Sequence, residues 1–350
     1  MNDSQGSLAR SPELFPHSLD AHGEKIAFIH LRESDYQRAS FLDARILTPH
    51  TAVYPLTWQQ VAAALASANL EERCAFIFHI GHVGSTLLAR LIGAHPGAFV
   101  LREPLLLRVF AQMNYGLNVQ PKWSNDDTTS RLTDTLKLFS RTFESAQTPI
   151  IKATSFVSEL STNLMQRPSA PKALLMFVSP ESYLATILGG PVSRQEAIAL
   201  APDRLRRLHR RIGAEVWRAE TLSEGERLAL AWACEMSALA QATAAARDRT
   251  YPLNFDEFLT DPAGLSKVFR HFDIDATAAE VGAILSGPEM RRYSKAPEYA
   301  YDAALRLEVL NEARVHHGSE IRRGLDWLER AAAQFEPVRL ALALAASRPA

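Results

Sequence analysis

From Cys74 onward the chain alternates short apolar runs with stretches of three- and four-residue apolar spacing. The strand-length runs are Cys74–Ile80 (CAFIFHI), Ala98–Leu101, Pro149–Thr154, Ala173–Ser179 and Thr250–Phe255. The first, third and fourth are almost continuously apolar, as strands covered by helices on both faces must be. Alternation at this spacing predicts an α/β fold built on a doubly wound parallel sheet of about five strands. Between the fourth and fifth strands, residues 181–248 carry a helical pattern too long for a simple connection. This insertion is expected to form a lid or substrate-binding region.

Upstream, residues 24–70 combine a strand-like run (KIAFIHL) with a helical one, Trp58 to Leu70, for which Thr57 is a suitable cap. Residues 1–70 therefore read as a small N-terminal extension, 71–330 as the main domain and 331–350 as a C-terminal tail. The first twenty or so residues, rich in Ser and Pro, are expected to be poorly ordered.

Composition narrows the function classes. A hydrophobic fraction of 47% with 22% charged residues suits a globular chain with a large core, and a net charge of −1 offers no global field for nucleic acid or anionic membrane. Two cysteines, Cys74 and Cys234, exclude a disulfide framework or thiolate cluster and suit small buried hydrophobes. The N-terminal stretch lacks the apolar core of a signal peptide, which predicts a reducing, cytoplasmic setting. The most membrane-like segment, Leu228 to Ala246, is alanine-rich and interrupted by Glu235, and reads as a packed helix rather than a stable membrane insertion.

The chemistry begins where the first strand runs into HIGHVGSTLL. Gly81 and Gly84 let backbone approach a ligand, and Ser85 and Thr86 open a helix whose N-terminus favours an anion. A triphosphate-binding loop would carry a lysine before the Ser/Thr. Here Gly84 runs directly into Ser85, so anion binding is expected and triphosphate hydrolysis is not. His79 and His82 have H-x-x-H spacing, but with no third ligand nearby no metal site is expected. His95 is expected at the helix–strand turn AHPG. Lys152 lies at the carboxyl end of an otherwise apolar strand, where open α/β sheets bind ligands.

The loop, with LLARLIGAHP after it, resembles the 5′-phosphosulfate loop of sulfotransferases that use 3′-phosphoadenosine 5′-phosphosulfate (PAPS). Gly84, Ser85 and Thr86 match that family's Gly-Thr/Ser-Thr, and His82 stands in place of its basic residue. PIIKAT is similar to its LIKTH, and YPLNFDEFLTDP to its fifth strand and the Asp-Pro that starts the next helix. The resemblance spans roughly residues 74–295. It implies a P-loop-type sulfotransferase fold, PAPS as co-substrate without a metal, and Lys152 and His82 facing the transferred group. Thr154 takes the position of the histidine base of one branch, which moves the base role to Glu103, before Pro104.

For the 3′-phosphate the family uses an arginine at the position of Val178 and a serine at that of Thr186. Thr186 keeps a hydroxyl; Val178 does not replace the arginine. Two basic runs could compensate: Arg204 with RRLHRRIG, on a helix whose Leu205, Leu208 and Ile212 are expected to face the core, and MRRYSKAP with Arg291, Arg292 and Lys295. The second is preferred, because the family closes a C-terminal basic loop over this phosphate. Glu235, on one helical face with Trp232, Met236 and Leu239, is expected to reach a basic partner at the helix edge. The reading is sulfuryl transfer from PAPS to a hydroxyl or amine on a small-molecule, carbohydrate or lipid acceptor. A small-molecule kinase and a non-catalytic anion-binding or interaction protein are its alternatives.

Overall fold

The computed structural model describes residues 8–114, 123–292 and 302–347. Eight strands form two sheets. In the smaller, β1 (Leu14–Leu19), β2 (Lys25–His30) and β3 (Val53–Thr57) pair antiparallel. In the larger, β4 (Ala75–His79), β5 (Ala98–Arg102), β6 (Thr148–Lys152), β7 (Ala173–Phe177) and β8 (Thr250–Asn254) are all parallel, in the order β5-β6-β4-β7-β8. Every residue of β4, β5 and β7 is buried, which is why their apolar runs do not alternate. The order reverses at β4, with β6 on one side and β7 on the other, so the crevice above its carboxyl end is the expected ligand position of such a sheet.

The α/β expectation holds, with all five strands where the apolar runs stand. For residues 8–20 the expectation of poor order does not hold; residues 1–7 lie outside the described residues. Residues 14–19 are a strand, because the buried Arg141 draws this segment in. Its guanidinium donates to the carbonyls of Ser11 and Leu14, each at 2.8 Å, while Phe15 packs on Phe139 with ring centroids 5.9 Å apart. Local Ser/Pro content says nothing of a partner more than a hundred residues away. Thr57 caps the helix Trp58–Ala68 as expected, in a capping box with Gln60.

The insertion folds into three helices, Pro180–Leu188, Pro191–Ile212 and Glu224–Ala245. The last is buried along most of its length, and its small residues permit close helix crossings. A Cβ on Gly225 would lie 1.8 Å from the Glu320 carbonyl oxygen in the helix Ala303–Gln334. Residues 331–350, set apart as a tail, include the helix Glu336–Ala346, with Val338 and Ala341 fully buried. Asp261 opens a 3-10 turn, Pro262–Gly264, ahead of the helix Leu265–His271, and its side chain makes no capping bond; the expected simple N-cap is replaced by this turn. Both cysteines are buried and unpaired, and burial pushes both thiols up to about 12. Among the described residues no helix is long and apolar enough to cross a membrane.

Candidate functional site

Above the carboxyl ends of β4, β5 and β6 lies a cleft of about 540 Å³. Its floor on the β4 side is the loop read from sequence. The chain leaves His79 and turns through Gly81 (φ +84°), His82 (φ +54°) and Gly84 (φ +63°) before the helix Ser85–Gly93. His79 Nδ1 accepts the Gly81 N–H at 3.0 Å and holds the turn. The first amides of that helix have no intrahelical acceptor, so they and the dipole favour an anion. Thr86 Oγ1 is buried without a hydrogen-bond partner among the described residues, as is Thr154 Oγ1, and both residues line the cleft. A buried hydroxyl left unmatched costs about 1–3 kcal/mol, so each is suited to engage a ligand.

Gly84 is irreplaceable for a reason the loop sequence does not contain. The Phe255 ring, just past β8, fills the space where a side chain would stand, 1.9 Å from an ideal Cβ. Gly84→Ala is therefore expected to lose about 2–4 kcal/mol of stability, combining overpacking with a strained φ. Thermal denaturation checks this, and adding Phe255→Leu is expected to recover the steric part.

Lys152 ends β6 with only 1% of its side chain exposed, and its ammonium is ion-paired with Glu103 at the end of β5. The neighbouring backbone closes the same junction, with the Glu103 N–H donating to the Lys152 carbonyl at 2.7 Å. Glu103 has φ +57° although Pro104 follows. A residue before proline prefers extended backbone, so this conformation costs on the order of 1–3 kcal/mol. His82 and Glu103, two non-glycine residues in the left-handed region, thus line one cleft.

Arg102, beside Glu103, is structural. Buried, it donates to the carbonyls of Ala39 at 2.7 Å and Gln37 at 3.1 Å, and also to that of Tyr36. Burial, with Arg90 nearby, pushes it down to about 10, so it stays charged at neutral pH. The Leu42 N–H returns a bond to the Arg102 carbonyl at 2.7 Å. This clamp brings Phe41, Asp43 and Arg45 of the N-terminal extension into the cleft wall. The Arg45 guanidinium stacks 3.5 Å from the Phe41 ring, pairs with Asp43 at 2.5 Å and lies 3.8 Å from Glu103. No motif pointed to these residues.

His82 does not hang free over the loop. Its Nδ1 is 3.3 Å from Ser193 Oγ and its Nε2 is 3.4 Å from Glu196, both on the helix Pro191–Ile212. His95 Nδ1 accepts the Gly97 N–H at 3.0 Å in its turn. No group of three or more potential metal ligands occurs among the described residues.

On the β7–β8 side, Thr186 lines the cleft and donates its hydroxyl to the Ser182 carbonyl at 2.7 Å. Val178 is fully buried, and its carbonyl accepts the Trp232 indole N–H at 3.1 Å, so this position belongs to the core. Of the preferred basic run, Arg292 lines the cleft, Arg291 is exposed and not part of the lining, and Lys295 lies outside the described residues. Arg306 is an addition: it pairs with Asp256 at 2.7 Å and stands 5.2 Å from the Phe255 ring.

No family model matches the chain, and no curated protein matches it. Among solved structures, a sulfotransferase from Alicyclobacillus acidocaldarius is 14% identical with a TM-score of 0.41, covering 79% of this chain and 97% of its own. The sulfotransferase domain of the curacin biosynthetic pathway is 13% identical with a TM-score of 0.39, covering 74% and 98%. A Mycobacterium avium sulfotransferase is 12% identical with a TM-score of 0.36, covering 90% and 96%.

The helix Pro191–Ile212 departs most from expectation. Leu208 is buried and Leu205 and Ile212 pack half-buried against the core, as expected, but Arg204, Arg207 and Arg211 share the inward stripe with them. Glu235 meets them in the interior rather than at a helix edge. Its carboxylate accepts from Arg207 at 2.8 and 2.9 Å, from Arg204 at 3.3 Å and from Ser158 at 2.6 Å. Burial alone would raise the Glu235 pKa; the attraction of Arg207 and Arg204, with the hydrogen bonds, lowers it below the ordinary 4.5. Glu159 bridges Arg207 at 2.9 Å and Arg211 at 2.5 Å. Arg204, Arg207 and Glu235 line the cleft.

Proposed function

We propose that the protein is a PAPS-dependent sulfotransferase that moves a sulfuryl group to a hydroxyl or amine acceptor by in-line displacement. The observation that carries this reading is the Lys152–Glu103 ion pair at two strand ends, opening into the cleft that the glycine loop and the unmatched Thr86 hydroxyl also line. An acid–base pair and an anion cradle in one cleft are what group transfer from an anionic donor requires.

The donor's 5′ end suits the residues present. Gly84 leaves the loop backbone open, and Ser85, Thr86 and the first helix amides supply donors for its oxygens. Arg292, Arg306 and Thr186 line the cleft and would serve the 3′-phosphate, to which the buried Val178 contributes nothing. Lys152 would stabilise charge developing on the bridging and sulfuryl oxygens. As its ammonium turns from Glu103 to those oxygens, the Glu103 carboxylate becomes free to take the acceptor proton. His82, held by Glu196 when protonated, adds positive charge beside the loop.

Calorimetric titration with 3′-phosphoadenosine 5′-phosphate (PAP), beside ATP with Mg²⁺, tests the reading. PAP is expected to bind, and Ser85→Ala to weaken it about tenfold, the loss of one charge-assisted hydrogen bond. Binding of ATP without PAP would replace this reading with the kinase. PAP binding without transfer from PAPS to any of a broad panel of hydroxyl and amine acceptors would favour a non-catalytic anion-binding protein.

A further inference from the structure

The cluster around Glu235 has more positive than negative charge. Arg204, Arg207 and Arg211, with side chains 5%, 2% and 6% exposed, meet the carboxylates of Glu159 and Glu235, 10% and 1% exposed. Asp203 approaches Arg207 at 3.8 Å, but lies closer, at 3.4 Å, to the exposed Arg206. Counting that pair leaves the excess unchanged: four guanidiniums against three carboxylates. A net positive charge out of water is costly unless a counter-charge completes it.

The excess faces the cleft at Arg204. Its Nε is engaged by Glu235 at 3.3 Å, and among the described residues no hydrogen-bond partner takes its terminal nitrogens. Arg204 lines the cleft, so those nitrogens are the part of the cluster left to meet a ligand there. Arg207 has both terminal nitrogens and Nε committed to Glu235, Ser158 and Glu159, and it holds Arg204's partner in place. The cluster stands beside the transfer point. Phe156 and Ser158 lie in the 3-10 helix Ser155–Leu160 that follows Lys152, and the Arg207 guanidinium is 5.0 Å from the Phe156 ring.

The cleft therefore has a cationic group on the insertion-helix side, apart from Arg292 and Arg306 near β8 and from Lys152, Arg45 and Arg108. We infer that Arg204 is a specificity-determining residue that binds an anionic group, a phosphate, sulfate or carboxylate, on the acceptor itself. The acceptor is a hydroxyl- or amine-bearing molecule that is already negatively charged. A planar guanidinium with its Nε anchored and its terminal nitrogens presented is preorganised for such a group. This inference rests on the proposed sulfuryl transfer for the identity of the second ligand, but not for the anion site.

The test titrates inorganic phosphate into the protein saturated with PAP, so that the loop is filled. Wild type is expected to bind phosphate at one further site. Arg204→Leu is expected to weaken that binding about ten- to a hundredfold while leaving PAP affinity within twofold, and Arg204→Lys to restore part of it. Arg204→Lys keeps the charge, so its partial recovery of phosphate binding shows that a loss in Arg204→Leu is not general disruption. The inference is overturned if the PAP complex binds no phosphate, if Arg204→Leu binds it as wild type does, or if Arg204→Leu loses PAP instead. Should PAP fail to bind wild type, the proposed donor falls. Phosphate titration of the free protein then decides the anion site by whether binding is lost in Arg204→Leu or only in Ser85→Ala.

Discussion

Lys152→Ala is expected to cut sulfuryl transfer by a hundred- to a thousandfold while PAP affinity changes only a few-fold. Groups aimed at charge that develops in the transition state have effects of this size in a water-poor site. Lys152 is such a group by position: it is 1% exposed, at the end of an apolar strand, with a carboxylate as its direct partner. A ground-state binding residue would instead raise KM and leave kcat unchanged. The measurement is PAP release from PAPS with an acceptor panel, analysed as kcat and KM separately. Turnover within threefold of wild type would make Lys152 a structural partner of Glu103 and remove the centre of the proposed chemistry. Glu103→Gln separates the roles further. It keeps the shape of the junction, and its loss of rate should be largest for a poorly acidic acceptor, which most needs a base.

The largest expected effect on stability is at Glu235. Removing one member of a buried ion pair leaves uncompensated charge and costs about 3–5 kcal/mol. Glu235→Ala leaves Arg204, Arg207 and Ser158 without their shared acceptor, so the upper part of that range is expected. In thermal denaturation this corresponds to a fall in Tm on the order of 10 °C. The pH dependence has a definite sign. The Glu235 pKa is lower in the folded protein than its ordinary 4.5, so its contribution is complete above that value. It is lost as pH falls through the folded value. The stability gap between wild type and Glu235→Gln should therefore be constant above about pH 5.5 and narrow as the solution is made more acidic. A gap that widens in acid, or a Glu235→Ala loss below about 1 kcal/mol, would mean that the cluster is not the buried ionic centre described.

The strands were readable because burial on both faces removes the alternation that makes strands ambiguous; CAFIFHI and ALLMFVS have no polar face to present. The loop was readable for a similarly local reason. Two left-handed glycines and a Ser-Thr helix start are requirements of the backbone itself, satisfied within a few residues. Lys152 stood out as a lysine where an apolar run should end. From these three features came the parallel sheet, the glycine loop at the end of β4 and one charged group at the strand ends.

What joins them depends on contacts between residues far apart in the chain. Glu103 faces Lys152 across 49 positions, and its left-handed backbone cannot be inferred from a residue that precedes a proline. Phe255 makes Gly84 obligatory from the end of the edge strand β8, and Arg102 clamps an N-terminal loop that carries Phe41 and Arg45 into the cleft. The clearest addition is on the helix Pro191–Ile212. Apolar periodicity assigned the inward face to leucines, because arginine is normally left in water. Glu235, Glu159 and Ser158 supply buried acceptors that turn Arg204, Arg207 and Arg211 inward beside them. Sequence by itself determined where backbone must be apolar or glycine, since those demands are met locally. Tertiary structure alone decided which charges meet, because the free energy of a buried charge is set by its partner and not by its neighbours in the chain.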